Sequence, residues 1–182
     1  MNPKVPPHDD TAEQSVLGAI LIDKDAMIDV AEFLRPAHFY KESHGLIFSA
    51  IMELYESHEP IDVVTVTAQL KKNGSLKDAG GSSAVSDLLN AVPTSAHAQR
   101  YARIIQEHFT KRQLVAAAAQ ITELAFREEG SAQQIVDRAE QEIWLKTVYA
   151  LTAEPNPVPG IYSGFIDSAL IAREIPNYKD RI

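Results

Sequence analysis

Histidines and clustered carboxylates come first, because they move protons and hold metals near neutral pH. His38 and His44 stand six positions apart, and no carboxylate sits at the spacing of a His-Glu-x-x-His zinc helix. They read as solvated or partly buried histidines. Asp23, Asp25 and Asp29 crowd one turn. That turn lacks the glycine and terminal glutamate of a calcium loop, so it reads as capping and first-turn charge. Ser15 and Ser43 have no histidine partner that spacing alone assigns. There is no Gly-x-x-x-x-Gly-Lys-Ser/Thr loop to cradle a triphosphate, and no Gly-x-Gly-x-x-Gly. Gly80-Gly81 reads as a turn in which glycine supplies positive φ. Nothing in this set argues for catalysis. What remains is the chemistry of surfaces.

Composition narrows the class of surface. The chain has 182 residues and no cysteine, which excludes a disulfide framework and thiolate metal sites. A hydrophobic fraction of 45% suffices for one buried core. No apolar run reaches membrane-spanning length, and Met1 to Asp10 carries no signal-peptide core, so a cytoplasmic protein is expected. Lys+Arg is 17 against 25 Asp+Glu, a net charge of −8. A domain that grips phosphates by electrostatics is usually basic, so autonomous DNA binding should be weak or absent. A protein partner suits this charge better.

The elements that position these residues are helical. Residues 1–10 hold three prolines and form an irregular arm. Thr11 with Gln14 fits a capping box, followed by an apolar stripe of Val16, Leu17, Ile20 and Leu21. A short helix is expected over Ala26–Leu34, with Ile28 and Phe33 inward, and another over Ser43–Ser57, with Ile47, Ile51 and Leu54 inward. Ile61–Thr67 is β-branched enough for a strand, but no second strand exists to pair with it. Asp62 is a good N-cap, so this segment is read as helix up to Asn73-Gly74. A short helix follows over Ser83–Ala91.

Residues 11–94 thus form a helical head. Residues 95–146 form a long helix, capped by Ser95, and a hairpin. Leu114, Ala118, Ile121 and Ala125 repeat at a coiled-coil-like spacing of 4-3-4. Ser131 and Gln134 form a second capping box, and Val136, Ala139 and Ile143 continue the pattern. A turn this short makes the pair an antiparallel αα-hairpin. Three prolines within Glu154–Gly160 end the regular structure, so 147–182 reads as a Pro-rich linker and atypical tail. The fold class is all-α: a compact multi-helix head followed by a helical hairpin. The hairpin seams either close on each other or meet another chain.

Thr11-Ala-Glu-Gln-Ser-Val-Leu-Gly-Ala19 resembles the "EAEQAVLGA" run that opens the N-terminal domain of DnaB-type replicative helicases. Phe39-Tyr40 with His44, Ile47-Phe48, Pro60–Leu70, Gly80-Gly81, Ala91–Thr94 and Tyr101–Ile104 follow in the family's order. The resemblance covers about residues 6–146. It implies a collar domain that pairs through its hairpin, three pairs to a hexamer, beside an ATPase ring moving 5′→3′ on single-stranded DNA. It also implies a DnaG-type primase as partner, with a helicase loader as a further one. The family's primase contacts fall here at Ala84, Val115 and Ile121, and Ala84 departs from the family's aromatic residue. The family's ATP and magnesium belong to an ATPase domain that this sequence does not contain, so no cofactor and no hydrolysis are expected of the chain itself. Gly160-Ile-Tyr-Ser-Gly-Phe165 faintly echoes the "GIPTGF" that opens that domain. A stand-alone adaptor or inhibitor that copies the collar is the alternative reading.

Overall fold

The structure is a computed structural model that describes residues 5–91, 95–126 and 131–152. Among them it has seven α-helices and no strand. The helices are α1 (Asp10–Ile22), α2 (Ala26–Ala31), α3 (Glu42–Glu56), α4 (Val63–Lys72), α5 (Gly81–Asp87), α6 (Ala98–Phe126) and α7 (Ala132–Thr152). Three-ten turns occupy Pro36–His38, Leu88–Ala91 and Ser95–His97.

α1 is the central helix of the head. It packs against α3, the first half of α6 and the Leu88–Ala91 turn. Val16, Leu17, Ala19 and Ile20 are fully buried, and so are Glu13 and Ser15 on its other sides. A helix surrounded on all faces carries little amphipathic contrast. Its N-cap is Asp9, whose carboxylate accepts from the Ala12 N–H, so Thr11 lies inside the first turn rather than at the cap.

α2 is shorter than its pattern suggests. It buries Ala26, Met27 and Val30, and Ile28 points to solvent, opposite to expectation. The Arg35 guanidinium donates to the carbonyls of Ala31, Glu32 and Leu34 and so closes the helix before Pro36. Arg103 lies 3.6 Å over the Phe33 ring. α3 buries Ile47, Phe48, Ile51 and Leu54 as its spacing requires. The Pro36 carbonyl would lie only 2.9 Å from a Cβ on Gly45, so only glycine admits this approach.

The β-branched segment after Ile61 is helical. Asp62 accepts from the backbone N–H groups of Val64 and Thr65, and the Thr65 hydroxyl accepts from the Asp62 N–H. Those bonds hold the Asp62 carboxyl below its ordinary pKa, the Thr65 N–H contributing most. α4 ends at Asn73, with Gly74 at φ 72°. Gly80 precedes α5 at φ 93°, and a Cβ there would lie 2.8 Å from the Ala84 Cβ.

α6 begins inside the head, where Ala98, Ala102, Ile105 and Phe109 are buried, and then runs out into the hairpin with α7. The Ser131–Gln134 capping box is present in both directions. α7 continues past Lys146 to Thr152, because Thr147–Thr152 contains no helix breaker. Gly130, where glycine would stop α6, and residues 153–182 lie outside the described residues, as does the Ser95 side chain.

Candidate partner-binding surfaces

Two buried polar nodes hold the head together and orient what it exposes. The first centres on Glu13, which is 1% exposed. Its carboxylate accepts from the N–H groups of Tyr40 and Lys41, and the His44 Nδ1 lies 2.7 Å from Oε2. A buried carboxylate persists only with such partners. Lys41 adds a surface ion pair to Asp10 at 2.7 Å, which draws the Asp10 carboxyl below its ordinary pKa.

The second node lies where the head meets the hairpin. Arg112 donates to the Pro7 and His38 carbonyls at 2.8 and 2.6 Å. His8 stacks on Tyr40 with centroids 4.2 Å apart, so the segment from Val5 to Asp9 is strapped to the head. The His38 ring packs 4.6 Å from Phe109, and its Nδ1 accepts from the Arg35 N–H. Burial, followed by the charges of Arg35 and Arg112, lowers its pKa to about 4. Neither His38 nor His44 is solvated or partly buried as expected. Both are fully inside, the first neutral and the second paired to Glu13. Their partners are distant in sequence, so spacing alone does not reveal them.

The hairpin has two faces. The inner one carries Ala117, Ile121 and Leu124 of α6 and Ile135, Ala139 and Glu142 of α7. On α6 these positions are spaced four and three apart. Of the expected seam, Ile121 and Ala139 therefore lie on the inner face. Leu114, Ala118, Ala125, Val136 and Ile143 are exposed instead. The 4-3-4 residues thus divide between the seam within the hairpin and its exposed surface. Val115 (60% exposed) and Phe126 (83%) extend the outer apolar surface.

Ala84 lines a separate cleft on the head, far along the chain from the hairpin residues. The cleft has a volume near 370 Å³ and sits between α1, α3, α5 and the Leu88–Ala91 turn. Its apolar floor is Ile47, Ala79, Ala84, Leu88 and Ala91, its polar rim is Gln14, Ser43, Asp87 and Asn90, and the buried His44 stands in its wall. The primase-contact candidates thus fall on two surfaces, with Ala84 in the cleft, Val115 on the outer hairpin face and Ile121 half-buried in the seam. Asp23 accepts from the Asp25 N–H, and no group of residues with metal-ligating composition occurs among the described residues. No described helix is long and apolar enough to cross a membrane.

The model of the DnaB-like helicase N-terminal domain matches residues 5–107, which span the head and the first half of α6. The chain belongs to this family. The crystal structure of the N-terminal domain of DnaB helicase from Mycobacterium tuberculosis superposes with a TM-score of 0.73 at 42% identity, covering 77% of this chain and 99% of that one. Replicative DNA helicase DnaB of Leifsonia xyli is 43% identical over 144 residues, and that of Geobacillus stearothermophilus 38% over 140. These alignments cover 79% and 77% of this chain but only 32% and 31% of the relatives, about a third of their length. A DnaB-like replicative helicase solved for its interactions with primase shares the fold at 20% identity and a TM-score of 0.60, covering 89% of this chain and 35% of that one. The DnaB-type motifs now have a structural sense. Glu13 of the opening run accepts from the Tyr40 N–H and pairs with His44, which ties three of the matching segments into one node.

Proposed function

We propose that this chain is the assembly and partner-binding domain of a hexameric replicative DNA helicase, serving ring assembly and primase recruitment. The observation that carries this reading is the outer hairpin face. Leu114, Val115, Ala118, Phe126, Val136 and Ile143 are exposed while the inner seam is filled by other residues. We read these exposed apolar side chains as a site for another protein. A second copy of the hairpin supplies a matching surface, and paired hairpins build the collar. ATP, magnesium and DNA contacts belong in this reading to the assembled helicase, where a loader acts as well.

Sedimentation tests the assembly. Val136→Asp and Leu114→Asp should shift the chain toward monomer with the head still folded, since each puts a charge where the partner's apolar surface would sit. These positions are cleaner than Ile121, whose substitution would also open the seam within one hairpin. An unchanged mass in both variants removes the pairing. Recruitment is tested by titrating the cognate primase C-terminal domain. Val115→Asp should weaken binding and Ala84→Tyr should strengthen it, because an aromatic ring restores contact area that alanine lacks. No effect of either places the primase contact elsewhere.

A further inference from the structure

We propose that the cleft beside Ala84 is a socket for the arginine side chain of a protein partner. This rests on the reading above only in taking the domain as a partner-binding one. Among the described residues, no lysine or arginine lines the cleft. Asp87 is exposed at its rim and makes no hydrogen bond or ion pair with a described residue, and the side chains of Gln14, Ser43 and Asn90 are equally unengaged. His44 is buried at the wall, and its Nδ1 is held from behind by Glu13. Its remaining polar atom is therefore Nε2. One carboxylate, two amides and a hydroxyl thus line the cleft together, with no lysine or arginine among the described lining residues. A guanidinium offers five N–H donors in a planar fork and no acceptor, which complements such a rim. Its three methylenes are apolar and match the floor of Ile47, Ala84, Leu88 and Ala91. A phosphate or carboxylate ligand would meet Asp87 with no compensating charge. The net charge of −8 favours approach of a basic partner.

The test is an NMR titration of the 182-residue chain with N-acetyl-arginine amide. The neutral isostere N-acetyl-citrulline amide and the anionic N-acetyl-glutamate amide serve as comparison probes. Saturable shifts at the amides of Gln14, Ser43, Ala84 and Asn90 are expected with the arginine probe. Binding should be about tenfold weaker for citrulline, and likewise for arginine on Asp87→Asn, each having lost one charged hydrogen bond. Equal response to arginine and citrulline, preference for glutamate, or shifts confined to other surfaces would overturn the socket. Primase binding that survives Asp87→Asn, with the cleft silent to arginine, overturns the socket but keeps the recruitment reading. Arginine shifts without primase binding do the reverse, keeping the socket and removing primase as its occupant.

Discussion

α6 runs through two regions of the molecule that use it differently. From Ala98 to Phe109 it sets Ala98, Ala102, Ile105 and Phe109 into the head, where α1, α2 and the Pro36–His38 turn cover them. Beyond Arg112 only Ala117 among its described residues is buried, although the apolar content stays high. The head closes on its own residues, down to a carboxylate with all its partners inside. The hairpin meets α7 along one narrow seam and leaves a second apolar face open. Helical stability in proteins comes mostly from packing of the apolar face rather than from propensity. The same helix should therefore be firm at one end and dependent on company at the other.

The largest expected effect tests the closure of the head. Glu13→Ala removes the acceptor of two backbone N–H groups and the partner of a buried imidazole. Breaking a buried, hydrogen-bonded charge costs about 3–5 kcal/mol, because the remaining groups stay buried and unpaired. Urea unfolding followed by circular dichroism should show most of the head's stability gone. A loss under about 1 kcal/mol would mean that water replaces the carboxylate and the head is more open than described.

Acid should weaken the head through His38. Its folded pKa is about 4 against an ordinary 6.5, so the unfolded chain binds the extra proton between these values. Stability from this group is complete above pH 6.5 and falls as the pH drops toward 4, by up to about 3 kcal/mol. Protonation at Nδ1 would also displace the Arg35 N–H that this nitrogen accepts. Below pH 4 the lowered carboxyls of Asp10 and Asp62 continue the trend in the same direction. Thermal melts from pH 7 to pH 4 should show the decline, and His38→Asn should flatten its upper part. A wild-type midpoint independent of pH across this range would contradict the buried, neutral ring.

Hydrogen exchange sharpens the contrast along the chain. In monomeric Val136→Asp, amides of Ala139 to Glu142 should exchange by local opening. Those of Leu17 to Ile20 should exchange only on global unfolding, with an opening free energy roughly 2–3 kcal/mol higher. Equal protection in both segments would show that the hairpin needs no partner.

Legibility in the sequence follows the range of the interactions. The α4 segment was readable because Asp62 and Thr65 act within one turn, against the strand propensity of six β-branched residues in seven. The Ser131–Gln134 box is local too. The Glu13 node is not, since its partners lie 27 to 31 positions away. One signal was available: Glu13 stands three and four positions before Val16 and Leu17, on the apolar side of α1. A carboxylate on a buried stripe demands partners. The phase of the hairpin seam was hidden for another reason. Apolar residues lie on both sides of the second half of α6, so spacing alone does not select which side α7 covers. The cleft beside Ala84 joins residues from Gln14 to Ala91, so no single stretch of sequence announces it.

The smallest effect concerns where the head begins. Two caps compete at the start of α1. Thr11 and Gln14 satisfy the capping-box pattern, whereas Asp9 accepts from the Ala12 N–H at 2.9 Å in the structure. Asp9 has extended backbone angles, φ −144° and ψ 97°, as an N-cap requires, and its carboxylate also faces the positive end of the helix dipole. Thr11 lies one residue inside the helix, and its hydroxyl makes no hydrogen bond with a described residue. Asp9→Ala should therefore cost about 1 kcal/mol, while Thr11→Ala should be neutral to within about 0.5 kcal/mol. Gln14 would gain nothing from a cap because its side chain faces the cleft instead. Paired denaturation curves decide between them. The reverse order of effects would move the start of α1 to Thr11, and the strap formed by Pro7, His8 and Arg112 would then begin from a looser anchor.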